Sequence, residues 1–198
     1  MKAPLPGEVA QRKMAPLFKI EDRFKLSSPK SARRGGVLLL LYPEQEKIFF
    51  PLMLRPSYPG VHSDQVSLPG GKVEKYDKNL IQTALRETHE EIGVDPSQVT
   101  ILGELTDLYI PASNFLVRPV VGFARHSLSF QPDPKEVKKI IKATLIDLLD
   151  DSKMKQTQLE LTNKLILDTP YFDVKQHVVW GATAMILSEF KTIVKEIF

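Results

Sequence analysis

The sequence predicts a layered α/β/α architecture built on a mixed β-sheet, and three observations carry that expectation. Two apolar runs of strand length, Gly36 to Tyr42 and Ile48 to Leu54, are separated only by the polar reversal Pro43 to Lys47. An amphipathic helical pattern spans Asn79 to Ile92. A second one closes the chain from His177 to Phe198, with Val178, Ala182, Met185, Ile186, Phe190, Ile193 and Val194 at helical spacing. Strands and helices that interleave around one core bury their apolar faces as a sheet covered on both sides.

Taken in order, Pro4 to Lys30 is mixed and proline-bearing, with a short helix expected at Gly7 to Met14. Residues 1–30 are therefore expected to form an N-terminal decoration and residues 31–198 a single domain, since one core is commonly built from roughly 100 to 200 residues. The two apolar runs read as strands buried on both faces. Arg55 to Gly71 is a loop rich in Gly, Pro, Ser and His. The helix that follows stops at Gly93 and Pro96. Val99 to Leu108 and Phe115 to Ala124 are further strands, with Ile110 to Asn114 punctuating them. Lys135 to Asp150 is compatible with a strand or a helix pair, and Thr157 to Leu167 with short strands before a loop around Pro170. There is no internal repeat.

Composition removes several classes of function. Hydrophobic residues at 42% and charged residues at 26% describe a folded globular chain rather than a disordered one. A formal charge of +3, with the basic residues scattered, gives no footprint for nucleic acid but suits a phosphate-bearing small ligand. The absence of cysteine rules out disulfides, zinc thiolates and thiol nucleophiles. Met1 to Pro16 has no apolar core of a signal peptide, and no stretch approaches a membrane span, so a cytoplasmic location is expected.

The chemistry is concentrated in Pro69-Gly70-Gly71-Lys72-Val73-Glu74 and Thr83-Ala84-Leu85-Arg86-Glu87-Thr88-His89-Glu90-Glu91-Ile92-Gly93. On a helix Leu80, Ile81, Ala84, Leu85, Thr88 and Ile92 share one arc, while Glu87, Glu90 and Glu91 fall on an adjoining one. Acids gathered in this way repel one another. An acidic patch on a helix is ordinarily solvated surface, but this one follows a glycine loop whose backbone can approach a ligand closely. A hard divalent cation with carboxylate, water and phosphate ligands would relieve the repulsion. Arg86, four residues before Glu90, is placed to hold a carboxylate in one rotamer.

Together Gly70-Gly71, Arg86-Glu87, Glu90-Glu91 and Gly93 resemble the Nudix box, a glycine loop and helix that bind metal ions and a nucleoside diphosphate. The resemblance implies an α/β/α sandwich, dependence on Mg2+ or Mn2+, and attack of water on a phosphorus of a diphosphate. The spacing carries one extra residue between Gly71 and Arg86, so the box's usual glutamate falls on Lys78. That insertion is similar to the coenzyme A diphosphatase branch, as are Leu54-Arg55-Pro56-Ser57, His62-Ser63-Asp64-Gln65 and Leu68-Pro69-Gly70-Gly71 upstream. Tyr109 to Phe115 and Val179 to Ala184 extend the likeness over nearly the whole chain. The substrate implied is coenzyme A or a derivative, cut to adenosine 3',5'-bisphosphate and 4'-phosphopantetheine.

The residues then take expected roles. Glu87, Glu90 and Glu91, helped by the carbonyl of Gly70 or Gly71, would hold Mg2+ or Mn2+ against the diphosphate. Arg86 orients them. Lys72 joins Gly70 and Gly71 in the substrate loop. Arg55 suits either a bidentate grip on the diphosphate or a surface ion pair. His62 and Gln65 suit either substrate contacts or bracing of their loop. The general base is Glu90 or Glu136, the latter suited also to be an added ligand, or simply a helix N-terminal acid favoured by the dipole. Arg33, Arg34 and Arg118 are further basic candidates. Other readings of the same residues are hydrolysis of an ADP-sugar or dinucleoside polyphosphate, and a nucleotide-binding module that does not cut. The amphipathic last helix serves a homodimer interface as readily as the core.

Overall fold

The computed structural model describes residues 4–16, 31–56, 65–160 and 166–197. In chain order these form α1 (Gly7–Arg12), β1 (Arg33–Glu44), β2 (Lys47–Leu54), β3 (Val66–Ser67), β4 (Gly70–Lys72), α2 (Leu80–Ile92), β5 (Val99–Glu104), β6 (Leu108–Ile110) and β7 (Phe115–Ala124). They continue with β8 (Lys139–Thr144), α3 (Leu145–Leu149), β9 (Met154–Glu160), β10 (Ile166–Val174), β11 (His177–Val179) and α4 (Gly181–Ile197).

β1 is the spine of an eight-stranded sheet. It runs parallel to β7 from Arg33↔Phe115 to Leu41↔Phe123. Its other edge pairs antiparallel with β2 near Tyr42 and with β4 at Gly35, Gly36 and Val37, so β2 splays away where β4 enters. The sheet is therefore mixed. The β1–β2 reversal is a two-residue turn in which Gln45 and Glu46 both adopt positive φ, the geometry that matches strand twist.

Alternation along β1 divides the core. Leu38, Leu40 and Tyr42 pack with Met53, Val120, Ala84 and Ile92 under α2. Leu39 and Leu41 face the other way, onto Leu52, Val121, Met185, Leu187 and Phe190 beneath α4. Each such fully buried leucine contributes about 1.5–3 kcal/mol of transfer free energy. Helices thus cover both faces of the sheet, as expected from the sequence.

Several boundaries differ from the sequence expectation. The last helix begins at Gly181 rather than His177, because Lys175 and Gln176 take positive φ and turn His177–Val179 back onto β10 as a hairpin strand. Pro170 lies inside β10 opposite Gln156 rather than in a loop. It is tolerated because β11 pairs only from Phe172 onward, which leaves an open edge for a residue without an N–H. Val99 to Leu108 divides into β5 and β6, both paired with β7. Lys135 to Asp150 resolves as a strand followed by a short helix whose N-cap Thr144 accepts from the Asp147 N–H. The loop from Arg55 to Gly71 contributes β3 and the start of β4.

α1 packs against α4. Ala10 and Gln11 are buried, Ser188 Oγ donates to the Ala10 carbonyl at 2.7 Å, and Gln11 Nε2 donates to Glu189 Oε2 at 2.9 Å. Glu189 Oε1 accepts from Thr106 Oγ1 at 2.7 Å, so a carboxylate with no measurable exposure has donors on both oxygens. Among the described residues no helix is long and apolar enough to cross a membrane.

Candidate active site

α2 is positioned by local signals at both ends. Asn79 caps it by accepting the Gln82 N–H at 2.9 Å, and Gln82 Oε1 accepts the Lys78 N–H at 2.9 Å. Gly93 ends it with φ 74° and donates to the His89 carbonyl at 2.9 Å. The apolar arc faces β1, where Gly36 leaves room: a Cβ there would lie 2.3 Å from the Leu80 carbonyl oxygen. This close approach lowers the acidic arc onto β4.

Gly71 meets Glu87 directly, since a Cβ on Gly71 would stand 2.4 Å from the Glu87 carboxylate carbon. A side chain at Gly71 would displace the Glu87 carboxylate from this position. One residue earlier, the Gly70 N–H donates to Glu91 Oε2 at 2.7 Å, and Gly70 holds φ 145°. Arg55, just beyond the end of β2, places Nη2 at 3.5 Å from Glu91 Oε1. Its N–H donates to the Gln65 carbonyl at 3.0 Å, which sets Arg55 and Gln65 side by side across the strands. Arg55 thus pairs with a carboxylate of the site itself rather than with a surface acid. His62, with Ser57, Ser63 and Asp64, lies outside the described residues.

Arg86 organises the other side of the cluster. Its Nη1 donates to Glu87 Oε1 and to Glu90 Oε2, both at 2.8 Å, and its Nη2 donates to the Lys72 carbonyl at 3.0 Å. It also makes a two-point contact with Asp77, Nε to Oδ1 at 3.1 Å and Nη2 to Oδ2 at 2.9 Å. Asp77 thus supplies the carboxylate that Arg86 holds, while Lys78, where the count from Arg86 falls, is exposed. Counting back from Arg86 misses Asp77 by one position, because the extra residue falls between Asp77 and Arg86. The signal available in the sequence was an acid next to the vacant position. Asp77 also accepts from Thr83 Oγ1 at 2.9 Å, and hydrogen bonds from Arg86 hold its carboxyl down at about 2.

Glu136 approaches from the loop after β7. The Gln131 N–H donates to the Ile92 carbonyl and the Asp133 N–H to the Glu91 carbonyl, both at 2.9 Å, which ties the loop to the end of α2. Glu136 sits in a turn there and starts no helix, so a helix N-terminal role is not what this geometry offers. Its charge is felt at both Glu87 and Glu91.

Electrostatics mark the centre of the cluster. Glu91 is 2% exposed, and burial, reinforced by Glu87 and Glu136, pushes its carboxyl up to about 8 despite the Gly70 N–H and Arg55. Burial likewise raises Glu87, against the pull of Arg86. Glu90 is half exposed. Among the described residues no three acids or imidazoles already stand at metal-ligand spacing, and Arg86 bridges Glu87 and Glu90. The donor set nevertheless fits a hard divalent ion: all oxygen and crowded, with burial and neighbouring carboxylates raising Glu87 and Glu91, a cost that a cation would relieve.

Two of the other basic candidates, Arg118 and Arg33, are committed elsewhere, and Arg34 is exposed. Arg118 forms a two-point pair with Asp107 at 2.7 and 2.8 Å, and Arg33 lies over the Phe115 ring at 4.3 Å. Tyr109 to Phe115 builds the β6–β7 connection, with Tyr109 OH donating to Asn114 Oδ1 at 3.0 Å.

Comparison with known proteins agrees with this architecture. The NUDIX domain profile matches residues 32–163. Nudix hydrolase 15, mitochondrial, of Arabidopsis thaliana is 36% identical over 193 residues, 94% of this chain; the match spans 65% of the plant protein, just under two thirds of its length. The uncharacterized Nudix hydrolase NudL of Photorhabdus laumondii subsp. laumondii is 32% identical over 184 residues, covering 89% of this chain and 96% of that one. The crystal structure of the Nudix hydrolase RenU from M. smegmatis shares the fold with a TM-score of 0.59 at 16% identity, over 84% of this chain and 88% of its own. A profile match over more than half the chain and a relative matched over nearly its full length lead to one assignment: this protein belongs to the Nudix hydrolase family.

Proposed function

We propose that this chain hydrolyses the pyrophosphate bond of coenzyme A or its acyl or oxidised derivatives, using Mg2+ or Mn2+ and releasing adenosine 3',5'-bisphosphate and 4'-phosphopantetheine. The observation that carries the hydrolytic reading is the buried Glu91 carboxyl, held between the Gly70 N–H at 2.7 Å and Arg55 at 3.5 Å and beside Glu87. A closed, raised-pKa carboxyl in a crowd of acids is costly to folding unless something binds there. The coenzyme A assignment is supported by the residues around Arg55, Gln65 and Gly70-Gly71, and by the extra residue that Asp77 accommodates.

Glu87, Glu90 and Glu91, with the carbonyl of Gly70 or Gly71, would hold the divalent ions. Bound there, such ions neutralise charge on the diphosphate and make water a better nucleophile. Arg86 keeps Glu87 and Glu90 in fixed rotamers, and Asp77 fixes Arg86. Arg55 is aligned to grip the diphosphate once Glu91 turns to its own ligand. Glu90 or Glu136 takes the proton of the attacking water. The water oxygen bonds to one phosphorus, the P–O bond to the bridging oxygen breaks, and that oxygen leaves with the second phosphate. Lys72 and Gln65 line the approach.

The test is kcat/KM measured with Mg2+ for coenzyme A, acetyl-coenzyme A, an ADP-sugar and a dinucleoside polyphosphate. Preference for the coenzyme A compounds is the expected result. Preference for another diphosphate would move the substrate assignment, and no turnover of any would favour a binding module.

A further inference from the structure

Tyr76 presents an aromatic ring to solvent at the edge of the acidic site. The residue is 69% exposed, and no other aromatic is among the exposed large hydrophobic residues described. A single exposed apolar side chain is ordinary, but three features distinguish this one. The turn that carries it is braced: the Asp77 N–H donates to the Glu74 carbonyl at 3.1 Å, and the Glu74 N–H donates to Asp77 Oδ2 at 2.9 Å. Asp77 is in turn locked to Arg86. The backbone that carries the ring is thus fixed while the ring itself stays open to solvent.

Its distance to the chemistry is short. The guanidinium carbon of Arg86 stands 5.6 Å from the Tyr76 ring centroid, and the same guanidinium bonds Glu87 and Glu90 at 2.8 Å. One guanidinium therefore separates the ring from the carboxylates proposed to hold the divalent ions. The surrounding charge suits an anion, because Lys72, Lys75 and Lys78 are all exposed and have no ion-pair partner among the described residues. A planar π-face beside a diphosphate site, flanked by cations, is complementary to a nucleotide whose base can stack on the ring.

We propose that Tyr76 is the platform on which the purine base of the substrate's nucleotide half stacks, the diphosphate being directed from there toward Glu87 and Glu91. This rests on the reading of the site as one for a nucleoside diphosphate derivative, and adds where its base lies. The platform is an adenine-recognition element and takes no part in bond cleavage.

AMP and ribose 5-phosphate differ by the base alone, so their dissociation constants isolate the stacking contribution. Both would be measured by titration calorimetry with Mg2+ on the full chain, Tyr76→Ala and Tyr76→Phe, with a thermal melt to check folding. The parent should prefer AMP by about tenfold or more, as expected for one base–aromatic stack. Tyr76→Phe should keep that preference and Tyr76→Ala should lose it, with ribose 5-phosphate binding alike to all three. A parent with no preference, a preference that survives Tyr76→Ala, or equal weakening of both ligands by Tyr76→Ala would overturn the proposal. No turnover is read, so failure of the coenzyme A assignment would leave this result standing.

Discussion

Replacing Glu91 by glutamine should stabilise the metal-free protein in alkali while disabling it as an enzyme. The carboxyl is 2% exposed, and burial together with Glu87 and Glu136 raises it from 4.5 to about 8. In the unfolded chain it ionises near the lower value. Its contribution to folding is therefore intact below about 4.5 and is lost as pH rises from there through about 8, where the folded protein must hold a buried charge. A shift of this size, at about 1.4 kcal/mol per pH unit, sets the loss on the order of 5 kcal/mol. Glutamine keeps the shape and the acceptor for the Gly70 N–H but never ionises. With EDTA present, parent and Glu91→Gln should melt at similar temperatures at pH 5, and the variant should melt higher at pH 9. With Mg2+ and coenzyme A, the same variant should lose about a hundredfold or more in turnover, because a charged ligand is gone. A variant that melts lower than the parent at pH 9 without metal, or that turns over at a near-normal rate, would refute this reasoning.

Three further substitutions separate the parts of the site. Asp77→Ala removes the two-point partner of Arg86 and should cost about 2 kcal/mol in urea unfolding; turnover should fall about tenfold as Glu87 and Glu90 lose their fixed guanidinium. Gly71→Ala forces a methyl group to within 2.4 Å of the Glu87 carboxylate carbon, so Mg2+-dependent turnover should fall by on the order of a hundredfold. Its circular dichroism should stay native, since the residue meets a side chain and not backbone. Gln11→Ala strips Glu189 Oε2 of its donor in a closed site and should destabilise the fold by about 2 kcal/mol in the same unfolding assay. Its active-site kinetics should stay close to the parent's, because α1 packs on the face of the sheet opposite α2.

What was legible in the sequence was whatever local chemistry decides. Phe115 to Ala124 is the strand the apolar run indicates, and α2 starts and stops at the residues that cap it, Asn79 and Gly93. The pairing of Arg86 with Glu90 follows from helical spacing alone. What was hidden depends on contacts distant in sequence. His177–Val179 has helical periodicity and yet pairs with β10, since tertiary pairing outweighs a short apolar pattern. β4 carries no apolar run because Gly70 and Gly71 stand in close contact with Val37 and Glu87, and glycine carries no hydrophobic signal. Gln11 is polar, and only its bond to Glu189, 178 residues away, explains its burial. Asp77 escaped because motif spacing assumes a rigid count, whereas one extra residue between Asp77 and Arg86 still leaves this carboxylate bonded to Arg86.

Mass spectrometry of the products after incubation of coenzyme A with the protein and Mg2+ tests the central claim most directly. Cleavage at the diphosphate predicts adenosine 3',5'-bisphosphate and 4'-phosphopantetheine in equal amounts, abolished by EDTA. Intact coenzyme A, or loss of only its 3'-phosphate, would contradict it.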